Sequence, residues 1–518
     1  MKRWYKLYDT AKLPIRILYF AILLLSFGYI IQNDNVNIFY TFNNNFLILV
    51  SEVALKTGET LLKLLPLFFL SEYVAKRANS GAPIAMALVG YVSYLVVMMV
   101  FTVGTYPNEA YATIIDISFD ASSFPISSTG IRYPLNTGLF GILAVGFITR
   151  FAYIKSRNRS SYSLLNFVSK NTAGFIYVVV GCSLLGFISA YLYPFAYLFF
   201  NEVIKTIGKS INDPLNLAIY GALDIIMMIM GMPDLIRSPF WFSALGGSYQ
   251  TLSGQTILGD VNIWNYLRNA KGVTNTFVGC GCFITPYYIL NIFVIPAIYL
   301  ALFVSITDKK DRARKVPLFL VLTISSILCG NPLPLEYFLL FTAPLLLFIY
   351  ILMTIGIFAL TTKLSLFLGF SYSGSSTMYA LPGSFPDYII NLRDPMLYDT
   401  VIGIALLGLG LAIFAFIITY IYYHYLSYDL LQSGKKKQFL NSLYQAVGGF
   451  DNIITTTGSL LRINLVLKDL EAVDYSRIAL LGTRRTVETK EGITLDIGSA
   501  AIYISKEINK QIKEKSRA

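Results

Sequence analysis

The sequence predicts a polytopic α-helical membrane protein, of about ten transmembrane helices with amphipathic and re-entrant segments, that ends in a small C-terminal α/β domain. Three observations predict it. Of 518 residues 55% are hydrophobic and only 14% charged, with a mean hydropathy of +0.60, against roughly 25% charged in soluble domains. Apolar runs near or above the ~20 residues that cross a bilayer recur through residue 423. Beyond Tyr425 the hydropathy falls, and helical and strand-like patterns alternate.

The spans follow in order. "PIRILYFAILLLSFGYII" (14–31) is too long for the apolar core of a secretory signal, lacks a small-residue cleavage site and reads as an uncleaved first span. Further clear runs are 82–104, 173–200, 282–306, 335–360 and 400–423, with weaker ones around 46–71, 135–154, 215–232 and 316–330. The formal charge of +12 gathers in "MKRWYK", "KSRNRSS", "TDKKDRARK" and "SGKKK". Basic segments beside spans mark cytoplasmic loops under the positive-inside rule, which places both termini in the cytoplasm. The same distribution argues against a nucleic-acid partner, because the charge lies along the bilayer and not on one soluble face.

Two early segments are unusual for spans. In "FLILVSEVALKTGETLLKLLPLFFL", Glu52, Lys56, Glu59 and Lys63 share one helical face. The stripe reads either as a helix lying at the membrane surface or as the lining of a transport path. "NPLPLEYF" (331–338) breaks two apolar segments with prolines and one carboxylate, Glu336, and is either a polar hairpin lining a cavity or an exposed turn. Cys182, Cys280, Cys282 and Cys329 have no metal-site spacing and read as small buried hydrophobes. The sole histidine, His424, ends the last run in "YIYYHYL", an interfacial aromatic belt. A histidine base in the membrane core is thereby excluded. No cofactor and no metal are expected.

After the membrane region (1–428) comes a basic linker (429–440) and then a domain over 441–518. There "LNSLYQAVGG", "DLEAVDYSRIALLG" and "AIYISKEINKQIKEK" read as helices, and "LRINLVL" and "GITLDIG" as strands.

Stretches in this order resemble the membrane IIC component of bacterial sugar phosphotransferase systems (PTS) of the glucose/maltose/N-acetylglucosamine type, fused to a IIB domain. They are "LPLFFLSEYVAKRANSGAPIAMALVGYVSY", "NTGLFGILAVGFI", "IYGALDIIMMIMGMPDLIRSPFWF", "GDVNIWNYL", "TDKKDRARKVPLFLVLTISSILCGNPLPLEYFLLFTAPLLL" and "GGFDNIITTTGSLLRINL". The resemblance implies a multi-pass homodimer of the bacterial inner membrane with its C-terminal domain cytoplasmic. It also implies a small sugar as substrate, bound between helices and a re-entrant hairpin, and a phosphocysteine on IIB that phosphorylates it, served by a PTS IIA protein.

The residues matching the family's functional motifs differ. Against the hairpin Gly-Ile-Thr-Glu-Pro-Leu-Glu this chain reads "GNPLPLE": Asn331 and Pro332 replace Ile-Thr, Leu333 takes the position of the sugar-binding Glu, and the second acid survives as Glu336. Leucine can neither orient nor deprotonate a hydroxyl. Against Gly-Leu-His-His it reads "GMPD", with Pro233 and Asp234 for the histidines and Asp224-Ile225 for an upstream Asn-Arg pair; Val304 replaces a further histidine. Asp234 reads equally as a sugar hydrogen-bond acceptor or as a helix cap. In the phosphorylation loop Ala-Cys-Ile-Thr-Arg-Leu-Arg, here "GSLLRIN", Ser459 stands for the cysteine, Arg462 is kept and Asn464 replaces the second arginine. A serine needs an adjacent base to attack, and the tail has no histidine.

The resulting expectation is a sugar permease using Glu336, Asp234, Asn331, Tyr337 and Phe240, with Leu333 at the lost acid and coupled phosphorylation through Ser459 and Arg462 impaired or lost. One alternative is an active phosphotransferase that takes phosphate from a separate IIB protein. The other is a sugar sensor or regulatory partner of an active homologue.

Overall fold

The computed structural model describes residues 2–33, 36, 44–78, 81–102, 106–111, 119–120, 131–158, 168–269, 280–370, 382–426, 436–481, 483 and 485–515. Residues 427–435, among them much of the segment read as a basic linker (429–440), and parts of the basic segments at 155–161 and 433–437 lie outside them, as do the side chains of 1–10.

Among the described residues the membrane region is mostly helical: α1 (Lys2–Gln32), α2 (Asn45–Ala78), α3 (Ala82–Phe101), α4 (Gly138–Arg157), α5 (Lys170–Gly208), α6 (Pro214–Met230), α7 (Asp234–Phe242), α8 (Asp260–Asn269), α9 (Thr285–Ser305), α10 (Lys309–Cys329), α11 (Leu333–Thr342), α12 (Pro344–Lys363), α13 (Phe385–Ile390) and α14 (Tyr398–Ile421). Small hairpins β1–β2 (Phe119–Asp120, Ile131–Arg132) and β3–β4 (Ser248–Gln250, Thr256–Leu258) interrupt it. Among the described residues seven helices are long and apolar enough to cross a bilayer, against about ten counted from sequence. The run at 215–232 became the shorter apolar helix α6, while α2 and α10 carry charges along or at the start of the helix. The 39 residues of α5 span roughly 58 Å at 1.5 Å per residue, more than the ~30 Å hydrocarbon core.

Side chains such as Phe147, Phe195, Leu406 and Ile413 are exposed along α4, α5 and α14, as lipid-facing surfaces require. Small residues let α1 and α2 approach closely. A Cβ on Gly28 would lie 2.8 Å from the Ser51 carbonyl, and one on Gly58 would lie 2.9 Å from that of Ala21. The charged stripe of α2 stays outside that contact: Glu52 and Lys56 are exposed, and Lys56 pairs with Glu59 at 3.1 Å.

The C-terminal domain comprises α15 (Lys436–Ala446), β5 (Ile453–Gly458), β6 (Arg462–Leu467), α16 (Tyr475–Leu480), β7 (Thr486–Thr489), β8 (Gly492–Asp496) and α17 (Ala501–Lys515). Helix α15 begins inside the segment read as linker. The sheet is antiparallel in the order β5-β6-β8-β7. Alternate residues Ile463, Leu465 and Leu467 of β6 point into a core shared with Leu443, Ile493, Leu495, Ile504 and Ile508. The strands β6 and β8 and the flanking helices match the sequence patterns, although the middle helix is only six residues long. The two edge strands, β5 ("IITTTG") and β7 ("TVET"), were not anticipated. An edge strand has polar positions on both faces and therefore lacks a clean period-two signal.

Candidate functional site

Chain breaks around two glycines build the centre of the membrane region. Helix α6 opens with Asp213 as N-cap and Pro214 at its first position. It ends at Gly231, whose φ of +75° is the left-handed conformation that lets α7 start at once on a new axis. That turn brings Arg237 of α7 back onto Asp224 of α6. The guanidinium donates through Nε and Nη2 to the two carboxylate oxygens at 2.6 and 2.9 Å. Both side chains are at most 3% exposed. The Tyr287 hydroxyl donates to the same carboxylate, and Arg237 lies over the rings of Trp241 and Tyr287, at 5.2 and 5.4 Å. Trp241 Nε1 donates in turn to Tyr220 Oη at 3.1 Å. The network is bidentate and enclosed by aromatic rings, the geometry a buried ion pair needs.

Beside it lies the hairpin. Helix α10 ends at Gly330 (φ +67°), and Asn331 Oδ1 accepts from Leu333 N at 3.1 Å to start α11. Asn291, inside a π-helical stretch of α9 (Ile289–Val294), donates to the carbonyls of Gly330 and Pro382 at 3.1 and 3.0 Å and so fixes the hairpin's base. Asn331, Leu333, Glu336 and Tyr337 are all buried, which excludes the exposed-turn reading of this segment. Leu333 packs with Leu62, Leu65 and Met228, and Tyr337 donates to the Ile229 carbonyl at 2.8 Å. Glu336 is 1% exposed, and its Oε2 has no hydrogen-bond partner among the described residues. It lies within electrostatic reach of Asp224, Arg237, Tyr299 and Tyr350. The Tyr350 hydroxyl is likewise buried and without a partner. A buried polar atom left unpaired is uncommon and calls for an explanation.

The sequence-derived residues are only partly brought together. Glu336, Asn331, Leu333 and Tyr337 share the hairpin. Phe240 stacks on Phe283 with centroids 4.8 Å apart and meets the Tyr220 ring edge-on, which makes it part of the aromatic wall around Arg237. Asp234 is half-buried in the first turn of α7, where its charge suits the positive end of the helix. Arg237, Tyr287 and Tyr350 were missed, and Asp224 was noted only as a replaced position. The available signal was an acid and a base in apolar stretches on either side of "GMP", since ionisable groups in such segments mark functional sites.

The loop of Ser459 does not stand free. It docks on residues 307–315, the turn after α9 and the first two turns of α10. The Gly458 carbonyl accepts from Thr307 N and Asp308 N at 2.8 and 3.2 Å, and Gly458 N donates to Thr307 Oγ1 at 2.7 Å. Asn464 donates to Asp308. The Ser459 hydroxyl donates to Asp311 and accepts from Lys315 Nζ at 3.0 Å, while Lys315 and Asp311 pair at 2.7 Å. Ser459 is 4% exposed. Burial alone would raise the Asp311 carboxyl, but the hydrogen bonds from Lys315 and Ser459 outweigh it and hold the group below its usual value. Its contribution to docking is therefore complete above about pH 4 and fades as pH falls through the lower, docked value. Asp311→Asn is expected to loosen the tail at neutral pH, read as faster proteolytic cleavage between the membrane region and the tail. Wild type should show the same acceleration only in acid.

His424, at the end of the last span, stacks on Tyr420 at 4.1 Å. All four cysteines are buried and unpaired.

Seven apolar helices of spanning length around a helix-broken core define a multi-pass membrane protein. The family model for the phosphotransferase system EIIC component matches residues 9–354, and the chain belongs to that family. It is 26% identical over 509 residues to the PTS system glucose-specific EIICBA component of Staphylococcus saprophyticus, covering 96% of this chain and 71% of that protein. A comparison with the crystal structure of ChbC, the IIC component from the N,N'-diacetylchitobiose-specific phosphotransferase system, covers 82% of this chain and 92% of that one. The identity is 11% and the TM-score 0.29.

Proposed function

We propose that this EIIC-family protein is a glucose-type sugar permease that binds its solute at Glu336 and Tyr350 beside the Asp224–Arg237 pair, and whose own tail no longer passes phosphate to it. The observation that carries the binding half is the unpartnered pair of buried groups, Glu336 Oε2 and Tyr350 Oη. A sugar hydroxyl both donates and accepts, so one solute satisfies both, while aromatic walls take its apolar faces. These groups are closed off from solvent, so the surrounding helices must move to admit a sugar, as alternating access requires.

The phosphate half rests on Ser459. Its hydroxyl is turned onto the Asp311 carboxylate, so a phosphoryl group there would face like charge at hydrogen-bond range. The depressed basicity of Asp311 makes it a weak acceptor for the serine proton. Hexose is the solute class of choice, since the similar S. saprophyticus protein is glucose-specific by name. The protein works as a homodimer in the bacterial inner membrane, with the tail cytoplasmic.

Two measurements on the purified full-length chain test this. With phosphoenolpyruvate, the general phosphotransferase proteins and a competent IIA donor, intact mass should show no added phosphate, and labelled glucose should still enter proteoliposomes. A labile phosphate discharged by sugar would overturn the uncoupled reading. Phosphorylation of glucose only when a separate IIB protein is added would establish the enzyme alternative. Sugar binding without flux would identify a sensor.

A further inference from the structure

The buried charges at the centre of the membrane region do not cancel. Asp224 of α6 and Glu336 of α11 are both acids, and both lie within electrostatic reach of the same base, Arg237 of α7. Arg237 is committed to Asp224, whose two oxygens accept from Nε and Nη2 at 2.6 and 2.9 Å, and the Tyr287 hydroxyl of α9 donates to the same carboxylate. Glu336 is as deeply buried, at 1% exposed against 2% for Asp224. Yet its Oε2 has no hydrogen-bond partner among the described residues. The other titratable groups that face it are hydroxyls: Tyr299 of α9, Tyr350 of α12 and Tyr337 on its own helix. Tyr337 donates elsewhere, to the Ile229 carbonyl, and Tyr350 Oη is itself without a partner among the described residues.

We infer that the sugar site is also a proton site: Glu336 passes through the closed state as a neutral carboxylic acid, and solute crosses only while that proton is on. The inference rests on the sugar site proposed above and adds a proton requirement to it. Asp224 and Arg237 are neutral as a unit, so an ionised Glu336 would give the buried cluster one net negative charge and a protonated one gives it none. A carboxylate taken out of water with neither a cation of its own nor a donor is strongly disfavoured, and the group takes a proton instead. A sugar is uncharged and brings no counter-ion, so the requirement holds with solute bound. A neutral carboxyl, like the Tyr350 hydroxyl, both donates and accepts, which suits it to sugar hydroxyls of either sense. Buried acids of this kind are the parts from which membrane transporters build proton relays. When the surrounding helices open to either side, water reaches Glu336 and it ionises. The proton is taken from the aqueous side on which the site closes and is released on the side to which it opens. Closure therefore consumes one free proton, and raising the pH disfavours it by up to about tenfold per unit. The unloaded site obeys the same rule on its return, so the proton is required for each passage without being used up over a full cycle.

The test is exchange of labelled glucose in proteoliposomes of the full chain, with equal pH on both sides, over roughly pH 5 to pH 9. Wild type is expected to lose exchange progressively as pH rises, by up to about tenfold per unit. Glu336→Gln cannot ionise, so its exchange should be lower than wild type at pH 5 and the same at every pH. Calorimetry adds a readout that a merely structural role for Glu336 would not move. In buffers of different ionisation heat, glucose binding to wild type should take up close to one proton per sugar at the alkaline end and none in Glu336→Gln. Where exchange by the glutamine variant is too slow to profile, this proton count decides. A flat wild-type profile, an equal fall in both proteins, or binding without proton uptake refutes the proton site and leaves the sugar site standing. Absence of glucose binding at every pH refutes the sugar site and the proton requirement with it.

Discussion

Arg237→Ala is expected to be the most damaging single substitution in the membrane region, costing about 3–5 kcal/mol. It would leave Asp224 as a buried carboxylate whose remaining donor among the described residues is the Tyr287 hydroxyl. It would also empty the space between the Trp241 and Tyr287 rings. The result should be a large fall in melting temperature in detergent and a loss of monodisperse protein. The double variant Asp224→Leu/Arg237→Leu should be more stable than Arg237→Ala, because removing both charges avoids the uncompensated one. Equal melting of wild type and Arg237→Ala would mean that the pair is not the core of this fold.

The second large effect separates binding from folding. Glu336→Leu should leave the fold as stable as wild type, or more so, because it removes a buried oxygen that has no partner. The same change should weaken sugar binding by roughly 5- to 150-fold, the cost of leaving one buried hydrogen-bonding group unpaired. Glu336→Gln keeps the shape and should fall between the two. Titration of glucose against each variant, alongside its melting curve, checks both halves. A stable Glu336→Leu protein that binds sugar as wild type does would remove the hairpin from the site, whereas a destabilised one would show that Glu336 has a structural partner.

Much of this protein could be read along the chain. The apolar runs, the hairpin at 331–336, the tail helix Ala501–Lys515 and the central strand Arg462–Leu467 all carry their own periodicity or punctuation, and local physics decides such elements. The strands Ile453–Gly458 and Thr486–Thr489 were not legible. Each lies at the sheet's edge, and its pairing comes from a neighbour distant in sequence. Seven helices among the described residues have the length and composition of a full span; α6 is shorter, and α2 and α10 carry charges beside the apolar stretches that marked them in the sequence.

What the sequence determined by itself, then, was the solvent each segment lives in and which side chains stand in its chemistry-bearing stretches, Ser459, Pro233, Asp234 and Leu333 among them. Only the tertiary structure decided what the remaining groups do. It paired Asp224 with Arg237 across thirteen residues, left Glu336 and Tyr350 buried with free atoms, and closed Asp311 and Lys315 of one domain over Ser459 of the other. The reason is physical. Burial into lipid or core depends on a residue's own transfer free energy and on its near neighbours in the chain. A hydrogen bond or ion pair depends on two groups meeting within about 3 Å, and where the chain folds back decides which groups meet.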